Sequence, residues 1–162
     1  MIHNTSLKTW VEVSKTALEN NVQVIRRLAH GKIIMAVVKS NAYGHGLVET
    51  AKLFLKYKAD WIGVDNLDEG LSLRKAKVSA PMLVLGYTPV ERLAEAALHK
   101  VKLTIYGEEI LKTPSKYKKN IEWHLKIDSG MSRQGVLLAD LPSFIQRLRG
   151  LPEIKIEGVL TH

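Results

Sequence analysis

Short continuous apolar runs alternate along this chain with longer stretches in which apolar residues recur at helical spacing. The runs cover residues 33–38, 61–64, 82–85, 101–105, 121–127 and 154–160. Those that are continuous rather than alternating suit parallel strands buried on both faces. The intervening stretches predict helices with readable boundaries. Thr16 and Glu19 have capping-box spacing ahead of Leu18, Val22, Ile25 and Leu28, which share one helical face. Thr88, Pro89 and Glu91 repeat the device with proline at the first helical position, and Asp140 and Gly150 bracket a last helix carrying Phe144, Ile145 and Leu148. A strand-like segment at 9–13, containing Trp10 and Glu12, precedes the first helix and would either join the sheet or lie apart from it.

Repeated parallel βα units leave two architectures, an open doubly wound sheet or a closed eight-stranded barrel. Six predicted strands suffice for the first but not for the second. A length of 162 residues with 46% hydrophobic and 25% charged content describes one soluble globular domain and excludes a disordered or collagen-like chain. The absence of cysteine excludes disulfides, a thiolate nucleophile, iron–sulfur clusters and cysteine-based zinc sites, and it fits the cytoplasm. The opening MIHNTSLKTW lacks the apolar core of a signal peptide, and the run at 33–38 is too short to span a bilayer, so a soluble protein that neither spans a membrane nor is exported by the usual route is expected. A net charge of +8 could serve nucleic acid, an anionic membrane surface or an anionic small ligand. Charge alone does not choose among these, but with only 6% aromatic residues and no nucleic-acid motif, nucleic-acid binding ranks well below an anionic small ligand. Lys112, Lys116, Lys118 and Lys119 around Tyr117 read as a solvated helix face interrupted by Pro114.

In parallel α/β folds the chemistry gathers beyond the carboxyl ends of the strands. The residues there are Lys39, Asp65, Gly86 with Tyr87, Tyr106, Asp128 leading to Arg133, and Thr161 with His162. Lys39 follows the six apolar residues 33–38, so its ammonium would sit at the rim of an apolar layer. Desolvation near other cations favours the neutral amine needed for Schiff-base chemistry or proton abstraction; a lysine snorkelling to solvent is the plainer alternative. SNAYGHG, 40–46, follows directly, with glycines around His45 and a hydroxyl at Tyr43. Its backbone amides, ahead of a helix, would suit an anion such as phosphate, or the segment is simply a tight turn. In HLKIDSGMSRQGV, 124–136, Lys126 and Asp128 share the strand face opposite Leu125 and Ile127. In a closed barrel that face is the interior, where a lysine needs a partner or a modification. Arg133 would then meet an anionic oxygen of a ligand. Alternatively Lys126 and Asp128 form an ion pair on an exposed strand, with Arg133 in solvent.

AVVKSNAYGHG, 36–46, resembles the pyridoxal-phosphate attachment segment of alanine racemases. TWVEVS with Leu18 and Asn21, then HLKIDSGMSRQGV, then EGVLTH follow in that family's order, so the resemblance covers nearly the whole chain. It implies a (β/α)8 barrel of which about six parallel strands are present, with 1–162 as the amino-terminal part of the pyridoxal-phosphate domain and without the family's carboxyl-terminal β domain. It implies pyridoxal 5'-phosphate as cofactor and a head-to-tail homodimer that racemises a small amino acid, foremost L-alanine to D-alanine for peptidoglycan. Lys39 becomes the Schiff-base lysine and one of two catalytic bases, the other being a tyrosine from the partner subunit's second domain. Tyr43 matches the tyrosine near the cofactor phosphate, Arg133 the arginine on the phenolic oxygen, and Met131 the methionine whose backbone helps hold the substrate carboxylate. Lys126 matches a lysine carbamylated in several members, and His162 a barrel histidine beside the cofactor ring. Ser14, Ser40 and Ser132 stand where Asp, Ala and Gly are more usual. The resemblance implies that 1–162 alone turns over little or nothing, and the other reading is a barrel that binds the cofactor without catalysis. No metal site is expected.

Overall fold

The computed structural model describes residues 8–162. In chain order its elements are α1 (Lys15–Leu28), β1 (Met35–Val37), α2 (Lys39–Tyr43), α3 (Leu47–Lys56), β2 (Trp61–Val64), α4 (Leu67–Lys75) and β3 (Met82–Val84). They continue with α5 (Leu93–Leu98), β4 (Lys102–Ile105), α6 (Glu108–Lys112), α7 (Ser115–Lys118), β5 (Glu122–Asp128), β6 (Val136–Leu137), α8 (Leu141–Arg149) and β7 (Lys155–Leu160). All six apolar runs form strands, and every pairing is parallel. The strands lie side by side in sequence order, with β7 beside β5. A doubly wound sheet reverses its order at a switch point; this one runs in a single direction, as a barrel wall does. The sheet does not close among the described residues, since β1 and β7 each pair with one neighbour.

The core is the layer between the outer faces of the strands and the helices. Ile62, Val64, Met82, Val84, Leu103, Ile105, Trp123 and Leu125 are buried there against Leu67, Leu73, Leu93, Ala96, Phe144 and Leu148. Fully burying such a side chain is worth roughly 1.5–3 kcal/mol, so this layer carries most of the fold's stability. The opposite, concave face holds Lys102, Thr104, His124, Lys126 and Asp128, all buried and all polar. Between Trp123 and His124 the β5–β7 register slips by one residue, pairing Trp123 with Ile156 and His124 with Gly158. The extra residue, Glu157, turns its carboxylate to Lys102 at 2.6 Å and His124 at 3.2 Å. A side chain at position 158 would run into the His124 ring, with a Cβ only 2.6 Å away.

Several local expectations are corrected. Segment 9–13 is not a strand. Helix α1 is capped by Ser14, whose Oγ accepts the Ala17 N–H at 3.2 Å, rather than by Thr16. Thr88 caps nothing: a short turn over Val90–Arg92 precedes α5, and the buried Thr88 hydroxyl has no hydrogen-bond partner among the described residues. The two-residue β6, whose length is below what a periodicity can reveal, extends the sheet beside the tip of β5. Pro114 does break the helix as expected, but Lys118 leaves the solvated face and pairs with Glu153 at 2.8 Å, at 1% and 9% exposure. Helix α8 lies between Asp140 and Gly150 as read. Among the described residues no helix is long and apolar enough to cross a membrane, and no cluster of side chains could hold a metal ion.

Candidate active site

The rim at the carboxyl ends of the strands is built first by the turn after β1. Val38 is fully buried and donates its N–H to the Gly63 carbonyl of β2 at 2.8 Å, which fixes the chain as it reaches Lys39. Ser40, Asn41, Ala42 and Tyr43 then adopt left-handed backbone angles, φ 52 to 55°. For L-residues this costs roughly 1–2 kcal/mol each, so the turn persists only because its surroundings over-determine it. Ala42 N–H bonds the Val38 carbonyl at 2.8 Å, Gly44 and Gly46 N–H bond the Asn41 carbonyl at 3.1 and 3.0 Å, and His45 N–H bonds the Ala42 carbonyl at 3.1 Å. The Asn41 side-chain oxygen accepts the Leu47 N–H at 2.8 Å, tying the turn to the first residue of α3. The amides of Ala42, Gly44, His45 and Gly46 are thus bonded within the turn and its approach, while that of Ser40 bonds a Glu69 carboxylate oxygen of α4 at 2.6 Å. The segment is a tight turn, on which the Tyr43 side chain stands 60% exposed.

On the concave face beside this turn the Lys39 ammonium lies 3.9 Å from Asp65, at the end of β2. Lys126 rises from β5 with 5% exposure and donates to Gln134 Oε1 at 3.0 Å and weakly to the Leu85 carbonyl at 3.4 Å. Burial pushes the Lys126 ammonium below the usual lysine range, and the charges of Arg133 and Lys39 push it further, against a smaller opposing pull from Asp65. Tyr106, at the end of β4, is pushed up by burial and by Glu109, Tyr87 and Asp65.

Asp128 is not the ion-pair partner of Lys126. It turns into the following loop and accepts the N–H groups of Gly130 at 2.9 Å and Ser132 at 3.0 Å, bonds that hold it below the usual carboxylate range. The loop returns close against the strand at Gly135, where φ is 133° and a Cβ would lie 2.4 Å from the Asp128 nitrogen. Met131 reaches His162, with Sδ 3.2 Å from Nδ1, while Arg133 is exposed and makes no ion pair or hydrogen bond among the described residues. The structure thus brings Lys39, Lys126 and Arg133 within electrostatic range and joins Met131 to His162. Tyr43 stands on the turn without a bonded partner from this set. Gln134 and Glu69 escaped the sequence reading. Gln134 carries no pattern, but Glu69 was findable: Asn66 and Glu69 have N-cap spacing, and Asn66 Oδ1 does accept the Glu69 N–H at 3.0 Å.

The family described as "Alanine racemase, N-terminal domain" matches residues 13–162. An alanine racemase of Methanococcus maripaludis is 40% identical over 159 residues, covering 94% of this chain and 43% of that protein. One from Geobacillus kaustophilus is 43% identical, covering 95% and 41%. Among solved structures, alanine racemase from Bacillus anthracis with bound L-Ala-P superposes with a TM-score of 0.87 at 40% identity, over 95% of this chain and 41% of that one. A histidine racemase from Leuconostoc mesenteroides superposes with a TM-score of 0.84 at 31% identity, over 93% and 42%. The chain spans less than half the length of each of these relatives.

Proposed function

Because the chain belongs to the alanine racemase family, we propose that it forms the amino-terminal part of the cofactor barrel of a pyridoxal-phosphate-dependent racemase of a small amino acid, foremost alanine. The observation that carries this is the primary amine of Lys39 on the concave rim, beside two further cations, with Asp65 as the carboxylate facing it. That donor set suits an anionic aldehyde. Lys39 would hold pyridoxal 5'-phosphate covalently, the Tyr43 hydroxyl would meet its phosphate, the Arg133 guanidinium its phenolic oxygen, and His162 would stand beside its ring.

The cofactor supplies an electron sink that acidifies the Cα–H of a bound amino acid. Lys39 Nζ, once the substrate's own amine had displaced it from the cofactor, would take or return that proton on one face. Arg133 and the Met131 backbone orient the substrate carboxylate. The second base, which the family resemblance places on a tyrosine of a partner subunit, belongs to parts of the relatives that this chain does not align with. Lys126, deprived of proton affinity by burial and by Arg133 and Lys39, suits carbamylation: its neutral nitrogen bonds the carbon of CO2, loses a proton, and becomes an anion that orients Arg133. Homodimerisation, a cytoplasmic site of action and supply of D-alanine to peptidoglycan complete the reading.

The test is covalent capture. Incubation with pyridoxal 5'-phosphate followed by borohydride should leave a pyridoxyl group on Lys39, located by peptide mass spectrometry, and Lys39→Ala should lose it. Unchanged capture in that variant removes the assignment. Racemisation of L-alanine by 1–162 alone should be absent or very low.

A further inference from the structure

We infer that Glu69 is the positioning residue of Lys39, a clamp that sets where the lysine amine stands without touching it. The inference rests on Lys39 being the cofactor lysine. Helix α4 begins at the end of β2, and Glu69 in its first turn sends one carboxylate oxygen to each of two loops. One oxygen accepts the Ser40 N–H at 2.6 Å, and the other accepts the Asp65 N–H at 2.8 Å. Ser40 is the residue directly after Lys39 and the first of the left-handed turn. The chain at Lys39 is thereby pinned on both sides: Val38 to β2 before it and Ser40 to α4 after it. The same carboxylate fixes the backbone of Asp65, whose side chain faces the lysine amine. One charge therefore sets the lysine and its neighbouring carboxylate together.

Only a carboxylate can do this at this place. Both donors are N–H groups, and an amide side chain would present its own N–H to one of them. The resulting displacement is local to the rim, because the core beneath Val38 and Val64 makes no use of Glu69.

The experiment compares the full chain with Glu69→Gln. Pyridoxal 5'-phosphate at limiting concentration, then borohydride and peptide mapping, gives the share of label on Lys39 relative to the other lysines. Hydrogen exchange gives the protection of the Ser40 and Asp65 amides relative to amides of β4 and β5. The clamp predicts that E69Q lowers the preference for Lys39 about tenfold, the scale on which small misplacements of a reacting group act. Ser40 and Asp65 should lose protection while β4 and β5 keep theirs, a pattern that general destabilisation would not produce. Wild-type preference for Lys39 in E69Q would overturn the clamp alone. Unprotected Ser40 and Asp65 amides in the wild-type chain would overturn it without any variant. Random labelling of the wild-type chain would instead remove the cofactor reading, and the clamp's role with it.

Discussion

At the amino-terminal ends of the strands Lys102 lies between Glu122 and Glu157, Glu157 also reaches His124, and Lys118 is buried against Glu153. At the carboxyl-terminal ends Lys39, Lys126 and Arg133 gather with Asp65 as the facing carboxylate, while Asp128 and Glu69 spend theirs on backbone amides. Both rims sit on the same concave face and use the same residue types. Burial alone would depress the Lys102 ammonium, yet its bonds to Glu122 and Glu157 outweigh that and raise it. Lys126 has no carboxylate bonded to it among the described residues, and burial prevails. One rim is satisfied from within the chain and stabilises it; the other keeps uncompensated positive charge, which is what a site for an anionic ligand requires. Arg74 sharpens the contrast, donating to the carbonyls of Val78, Ala80, His99 and Lys100 where the loops at the amino-terminal ends converge.

The largest test of this difference is Lys102→Met. It leaves Glu122 and Glu157 facing each other without their cation and should cost about 2–3 kcal/mol of stability in urea unfolding. A loss too small to measure would show that the paired rim is not what holds the strand ends. Lys126→Met should change stability by no more than about 1 kcal/mol and should tend to stabilise, because it removes a desolvated charge and adds apolar volume.

The two lysines should also respond oppositely to alkali. Lys102 is raised, so its contribution is fully present below the ordinary lysine value of about 10.4 and is lost as pH climbs through its higher folded value. Lys126 is lowered, so its ammonium opposes folding at neutral pH, and stability is regained as pH rises from its folded value toward the ordinary one. Unfolding curves across this range for both methionine variants separate the two slopes. Matching slopes would erase the distinction between the rims. The smallest effect belongs to Arg133→Gln. Stability should stay within about 0.5 kcal/mol, while NMR titration of the Lys126 side chain should show its proton affinity rising, since one of its repelling charges is gone.

How far the sequence could be read follows from how local each signal is. Continuous apolar residues mark β1, β2 and β3, and apolar residues alternating with polar ones mark β4, β5 and β7, so these six strands were visible and the two-residue β6 was not. Capping at α1 misled because Ser14 and Thr16 both offer a hydroxyl within two residues, and only the path of the chain into the helix chooses between them. Lys39, Tyr43, Lys126, Met131, Arg133 and His162 were named from position and motif. Their partners were not: Asp65 for Lys39, Gln134 for Lys126, and Met131 for His162 come from different strands or from across a loop.

What the sequence by itself determined was the succession of parallel strands along the chain and the family, because periodicity and motif are properties of neighbouring residues. Tertiary structure alone decided which charges find a partner. The amides of Gly44, His45 and Gly46 closed on the Asn41 and Ala42 carbonyls, Asp128 turned from Lys126 to its own loop, and Glu69 reached across two loops to hold the backbone beside Lys39. The reason is physical: a hydrogen bond or an ion pair forms only within a few ångströms, and it is the curvature of the sheet that brings distant residues that close.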